Sequence, residues 1–254
     1  MEESGIPQII SFTKKWHSEP YPFISPSRPE LSAAGKNIVV TGGGTGIGRA
    51  ISTAFTKAGA KSVTIIGRRA DKLKDAAAVI AEDAVSSDTR VIYEVADLGD
   101  KGQVVRAFQS VVDKVGKIDV MVSNAGGVPV PGTLAQISPE DMNGALAQTV
   151  MTGLNVAQAF LPLAGPEPVL LNTSTSMAHW LPTPGMGIYT VAKAAALKLF
   201  DVVSRENPGL RVVNVQPGWV ATDMNGHQKE APDSRMILPF ITPHPHPSTA
   251  QLPD

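Results

Sequence analysis

Short apolar runs alternate with longer stretches of helical spacing through the middle of the chain. Runs rich in β-branched residues occur at Asn37–Thr41, Ser62–Ile66, Val91–Val95, Ile118–Ser123, Val169–Asn172 and Val212–Val215. Stretches with helical spacing or helix-forming composition lie at Ile47–Ala58, Asp71–Ala84, Lys101–Val115, Pro139–Leu161 and Tyr189–Arg205. Strands of this length that are apolar on both faces and separated by helices predict βαβ units, and so a parallel sheet covered on both sides. The expected fold is a doubly wound, Rossmann-type α/β domain over roughly residues 36–225, with right-handed connections.

Proline marks the limits of that domain. Five prolines fall within residues 1–35, none between 30 and 128, and six between 229 and 254. Because proline fixes φ and removes a backbone donor, regular structure should concentrate where it is absent. Residues 1–35 read as an extended arm, and residues 226–254 as an incomplete lid followed by an unstructured tail. The 254-residue chain has no cysteine, which excludes a disulfide scaffold, thiolate catalysis and sulfur-ligated metal. Twenty-two Lys and Arg balance 23 Asp and Glu, so no basic face for nucleic acid or an anionic membrane is expected. No apolar run approaches a bilayer span, and MEESGIPQII lacks the apolar stretch of a secretory leader. This points to a cytoplasmic protein.

The first predicted strand runs into Thr41-Gly42-Gly43-Gly44-Thr45-Gly46-Ile47-Gly48, and a helix follows. Glycines here let the backbone approach a pyrophosphate closely, with the free amides and positive dipole of the helix start aimed at it. The position directly between first strand and first helix is what turns a common glycine pattern into a dinucleotide site.

The spacing Thr-Gly-x-x-x-Gly-x-Gly resembles that of the classical short-chain dehydrogenase/reductases, and the resemblance continues in order along residues 36–224. Asp97-Leu98 follows the third strand, where the family contacts adenine. Asn124-Ala125-Gly126 follows the fourth, where the family steadies sheet and cofactor. Ser176 precedes Tyr189 by 13 residues, and Tyr189-Thr-Val-Ala-Lys193 follows. Pro217-Gly218-Trp-Val220-Ala-Thr222 matches the stretch that covers the nicotinamide. The resemblance implies a nicotinamide-dependent oxidoreductase acting on a small carbonyl compound or alcohol.

The residues support that chemistry. Tyr189 and Lys193, four apart on a helix, share a face. A free phenol titrates near pH 10, and an ammonium beside it should favour phenolate and lower that value. The pair can then give a proton to a carbonyl oxygen as hydride arrives, or take one in reverse. By resemblance, Lys193 also holds the nicotinamide ribose. Ser176 would hydrogen-bond the substrate oxygen; Ser174 and Thr175 compete for that role, and the 13-residue spacing favours Ser176. After the second strand, Gly67 supplies no carboxylate for a ribose 2′-hydroxyl, and Arg68 follows, able to grip a 2′-phosphate. NADP(H) is therefore expected over NAD(H).

Two departures stand against the family pattern. Many members carry an asparagine in a stretch like Val-Asn-Leu-x-Gly, where it supports a proton-relaying water chain; here the stretch is Thr149-Val150-Met151-Thr152-Gly153. Neither Asn143 nor Asn155 is an obvious substitute. The second departure is that only 36 residues follow Gly218, without a convincing last strand, since Pro239 interrupts the one apolar run, Met236–Ile241. The sheet is expected to stop at six strands. The family's tetramers form partly through that end, so its shortness argues against a tetramer and leaves a homodimer through the helices at Pro139–Leu161 and Tyr189–Arg205. His179, Trp180, Met186, Trp219 and Met224 could line an apolar pocket or merely pack at the sheet edge. His244 and His246 read as tail rather than a metal site. A second function class, a non-catalytic dinucleotide-binding protein or relic of the fold, is favoured by Val150 and the short C-terminus.

Overall fold

The computed structural model describes residues 20–127, 130–179, 185–218, 220–227 and 241–243. Six parallel strands form one sheet: β1 (Asn37–Thr41), β2 (Ser62–Gly67), β3 (Arg90–Val95), β4 (Ile118–Ser123), β5 (Ala164–Thr173) and β6 (Arg211–Val215). Their spatial order is β3-β2-β1-β4-β5-β6, the order of a doubly wound sheet. The helices are α1 (Gly46–Lys57), α2 (Ala70–Glu82), α3 (Lys101–Val115), α4 (Pro139–Leu146), α5 (Thr152–Phe160) and α6 (Gly187–Glu206).

Every residue of β1 is buried, as a central strand covered on both faces requires. Ile38, Val40, Val63 and Ile65 pack with Leu73 and Ile80 under α1 and α2. Val39, Ile66, Met121 and Leu170 pack with Phe108, Phe160 and Phe200 under α3, α5 and α6. At the sheet's N-terminal edge, Asn37 Nδ2 donates to the carbonyls of Val115 and Lys117, both at 2.9 Å, and its Oδ1 accepts from Ser62 Oγ at 2.8 Å. These bonds leave the opposite, C-terminal edge open to carry the site.

The structure corrects the sequence reading at three places in the domain. The helix expected over Pro139–Leu161 is two helices joined by a π turn at Ala147–Met151. Strand β5 begins at Ala164 rather than Val169; Pro166 and Pro168 hide its first half, and they lie where the register with β4 shifts between Ile118 and Val120. A seventh strand, β7 (Ile241–Pro243), pairs antiparallel with β6, so the sheet does not stop at six strands. Proline masks it in the sequence, yet an edge strand can hold proline where the partnerless side faces outward.

Within the N-terminal arm, one-turn helices at Pro22–Ile24 and Pro29–Leu31 lead to Ala33, whose amide donates to Ala58 at 2.8 Å, and Ala34 bridges Ala60. This end of the arm is tied to the turn between α1 and β2. Residues 1–19, the rest of the C-terminal segment with His244 and His246, and Trp180 and Trp219 lie outside the described residues. Among the described residues no helix is long and apolar enough to cross a membrane.

Candidate active site

The strand order reverses between β1 and β4, and in open α/β sheets ligands bind outside the strand C-termini at that point. The glycine loop lies there. Gly42, at φ +67°, adopts a conformation that favours glycine, and its amide donates to Ile66 O at 2.7 Å. Gly48 has no room for a side chain: a Cβ would collide with the Gly42 carbonyl and lie 2.6 Å from Asn124 Nδ2. Thr45 precedes α1 in an extended conformation and makes no side-chain cap, so the first-turn amides of α1 have no side-chain acceptor. A tight glycine turn opening onto uncapped amides fits a pyrophosphate, with Gly44, Gly46 and Ile47 on its path.

Thr41 knots the strand ends together. Its Oγ1 donates to Val122 O at 3.1 Å and accepts from the amides of Asn124 and Ala125 at 3.0 and 3.1 Å. Asn124 Nδ2 donates to Thr41 O at 3.1 Å, and Asn124 Oδ1 accepts from Thr173 Oγ1 at 3.2 Å. β1, β4 and β5 are thereby locked in register beside the loop. Gly46 brings in the segment after β6: a Cβ on it would lie 3.1 Å from Thr222 Cγ2. Pro217, Gly218 and Val220 lie on the way to that contact, with Val220 exposed.

Arg68 and Arg69 follow β2, are exposed, and form no ion pair among the described residues. Asp97 is exposed and Leu98 buried. The Asp97 amide donates to Gln103 Oε1 at 3.0 Å, and its Oδ1 accepts from Gly99 N at 2.9 Å. Asn155, buried on α5, donates to Leu98 O at 3.0 Å and so anchors this loop from below. It does not fill the place of the missing asparagine. Val150 falls inside the π turn, where a neighbour, Gln148, sets its Oε1 3.0 Å from where a Cβ on Gly127 would stand.

Tyr189 and Lys193 lie on one face of α6, with Lys193 Nζ 6.0 Å from the centre of the Tyr189 ring. Nζ donates to Thr173 O at 2.9 Å, and a Cβ on Gly126 would lie 4.0 Å from it. The Tyr-Lys pair and the Asn124-Ala125-Gly126 turn therefore meet at the end of β5. Burial pushes Lys193 down to about 8. Burial also pushes the Tyr189 phenol up, against a smaller opposing pull from the Thr175 hydroxyl. The expectation that Lys193 would lower the phenol is not met: loss of water disfavours the charged form of both groups.

Ser176 opens a one-turn helix, Ser176–Ala178, and its hydroxyl makes no hydrogen bond among the described residues. Ser174 Oγ is buried and has no hydrogen-bond partner among the described residues. Of the expected pocket, His179 and Met224 are exposed and Met186 is half-buried. Sequence reasoning misses Thr173; it weighs Thr175 only as a rival to Ser176, Asn155 only as a substitute for the family asparagine, and Thr41 only as the residue that opens the glycine motif.

The model of the short chain dehydrogenase family matches residues 36–233. The chain belongs to that family. It is similar to the short chain dehydrogenase pigC of Monascus ruber, 34% identical over 251 residues, which cover 94% of this chain and 82% of that one. Among solved structures, this short-chain dehydrogenase resembles an alcohol dehydrogenase of the archaeon Thermococcus sibiricus complexed with 5-hydroxy-NADP. That match has 26% identity and a TM-score of 0.69 and covers 78% of this chain and 82% of the other. A short chain dehydrogenase of Burkholderia cenocepacia in complex with NADP matches at 30% identity and TM-score 0.69, covering 76% and 77%. Membership makes the protein an oxidoreductase of a family that binds a nicotinamide dinucleotide and acts on small molecules.

Proposed function

We propose that this short-chain dehydrogenase is an NADP(H)-dependent oxidoreductase interconverting a ketone or aldehyde with the corresponding alcohol. The observation that carries the reading is the meeting of Tyr189, Lys193 and the Asn124 turn at the strand end beside the glycine loop. When bound, the dinucleotide supplies or accepts the hydride. In reduction, Tyr189 Oη gives its proton to the carbonyl oxygen, and the phenolate left behind is stabilised by the Lys193 ammonium; oxidation reverses the transfer. Burial favours the protonated phenol, the form a proton donor needs. A hydroxyl from Ser174–Ser176 binds the substrate oxygen, Ser176 being the one that spacing favours.

The glycine loop would hold the pyrophosphate, Asp97 and Leu98 the adenine, and Lys193 and Tyr189 the nicotinamide ribose, under Pro217-Gly218 and Val220–Thr222. Arg68, which makes no ion pair among the described residues, and the NADP and 5-hydroxy-NADP bound by two structural neighbours support a 2′-phosphate. Exposed Met151, Val191 and Val202 on the helices expected to pair support a homodimer, and we place the protein in the cytoplasm.

The test is Tyr189→Phe assayed against a panel of ketones, aldehydes and alcohols. Hydride transfer should fall at least about 1,000-fold while NADPH binding, followed by nucleotide fluorescence, is retained. Unchanged turnover in that variant overturns the mechanism. Val150, which has no polar side chain for the relay, favours a second reading as a non-catalytic dinucleotide-binding protein. NADPH binding without turnover of any panel member by the parent protein would select it.

A further inference from the structure

We propose that the substrate is a neutral, apolar carbonyl compound, and that Leu134 is part of the wall that selects it. This rests on the oxidoreductase reading above and names the substrate class of that same site. The loops at the C-terminal edge of the sheet are of two kinds. Those after β2 and β3, on the side proposed for the adenosine, carry Arg68, Arg69, Asp97 and Asp100. Those after β4, β5 and β6, residues 124–138, 174–186 and 216–222, contain no Asp, Glu, Lys or Arg, in a chain that is 18% charged. Exposed apolar side chains stand there instead, Val130 and Leu134 after β4 and Val220 after β6. Apolar surface left exposed beside a reactive group marks a ligand site more readily than a solvated face.

The loops after β4 and β5 are clasped together at the start of α6. Gly132 N donates to Gly185 O at 2.9 Å, and Gly132 forms a bridge with Met186. Leu134 lies over Gly187, where a Cβ would stand 2.9 Å from Leu134 Cγ. Gly187 opens α6 two residues before Tyr189. Behind it, Ile137 packs in one cluster with Ile188, Met142 and Leu146, which fixes the loop to the helix that carries the proton donor. Leu134 is thus held at the head of that helix while 58% exposed, and an apolar substrate would cover it. A carboxylate or phosphate drawn here would lose water without gaining a cation. Lys193 is bonded to Thr173 O and serves the Tyr189 phenolate, and Arg68 and Arg69 follow β2, two strands from β4.

Three para-substituted acetophenones of similar shape separate charge from polarity: 4-isopropylacetophenone, 4-acetylbenzamide and 4-acetylbenzoate, each reduced with NADPH at pH 7. The value of kcat/KM should fall in that order, by at least about 100-fold from the isopropyl compound to the carboxylate. Leu134→Lys should raise kcat/KM for the carboxylate about 5-fold and lower it for the isopropyl compound. Leu134→Gln, polar without charge, should lower the isopropyl compound and bring no gain for the carboxylate. NADPH binding by both variants marks an intact fold. A carboxylate reduced as well as the isopropyl compound, or a ratio that Leu134→Lys leaves unchanged, overturns the proposal. Where none of the three is turned over, quenching of bound-NADPH fluorescence by the same compounds decides: the same order of binding supports it, and a reversed order or no binding overturns it. Failure of the oxidoreductase reading shows differently, as a parent protein that does not bind NADPH or turnover that survives Tyr189→Phe.

Discussion

Lys193 combines a cost and a function in one side chain. Its amine titrates near 8 in the folded protein and at 10.5 when free, because burial disfavours the ammonium, to which Thr173 O is the one carbonyl bonded among the described residues. Between those values the unfolded chain binds more protons than the folded one, so stability rises with pH across about 8 to 10.5. Below pH 8 the full cost of the buried charge is present. Lys193→Met keeps the stem and removes the charge, and should stabilise the fold at pH 7 by about 1–3 kcal/mol. The gain should shrink to about half by pH 9.5, as measured by urea unfolding at the two values. The variant should also lose turnover. Destabilisation at pH 7 would show that the ammonium is better solvated than its surroundings suggest.

The element most dependent on single atoms is the turn from β1 into α1. Gly48 packs against the Gly42 carbonyl and Asn124, both held by the Thr41 knot, so Gly48→Ala has nothing soft to push against. It should cost about 2–4 kcal/mol in stability and remove dinucleotide binding. Gly44→Ala meets Leu73 Cδ2 at 3.4 Å, an ordinary contact, and should change stability by less than about 1 kcal/mol. A thermal melt and a fluorescence titration of the pair check both.

These elements also show where the sequence is legible. β1 and β4 fall where apolar runs lie, because a central strand covered on both faces is apolar along most of its length. The first half of β5 and all of β7 are hidden by proline, which their irregular and edge positions tolerate. The π turn within Pro139–Leu161 leaves the helical spacing nearly intact, so periodicity cannot show it. Tyr189, Lys193 and the glycines could be named from spacing on one element. The carbonyl of Thr173 and the side-chain amide of Asn155 act across elements, and only the packed fold brings them to their partners.

On the scale of the molecule, the proposed dinucleotide would touch loops after β1, β2, β3, β4 and β6 as well as α6. Binding should therefore stabilise the sheet as a unit. A ligand at 100 times its Kd adds about 2.7 kcal/mol, or about 5–10 °C in a domain of this size. The oxidised and reduced coenzymes share every contact except the nicotinamide, whereas NADPH and NADH differ only in the 2′-phosphate, which we assign to Arg68, exposed and without an ion pair among the described residues. A charge-assisted contact of that kind is worth about 1.5–3 kcal/mol, or about 10- to 100-fold in Kd. At equal concentration NADPH should raise Tm by several degrees more than NADH, the difference should narrow in high salt, and Arg68→Ala should bring the two shifts together. A larger shift with NADH would remove the phosphate-binding role from Arg68 and leave the glycine loop as a dinucleotide site. No shift with either coenzyme would mean that the loop, though correctly folded, does not bind.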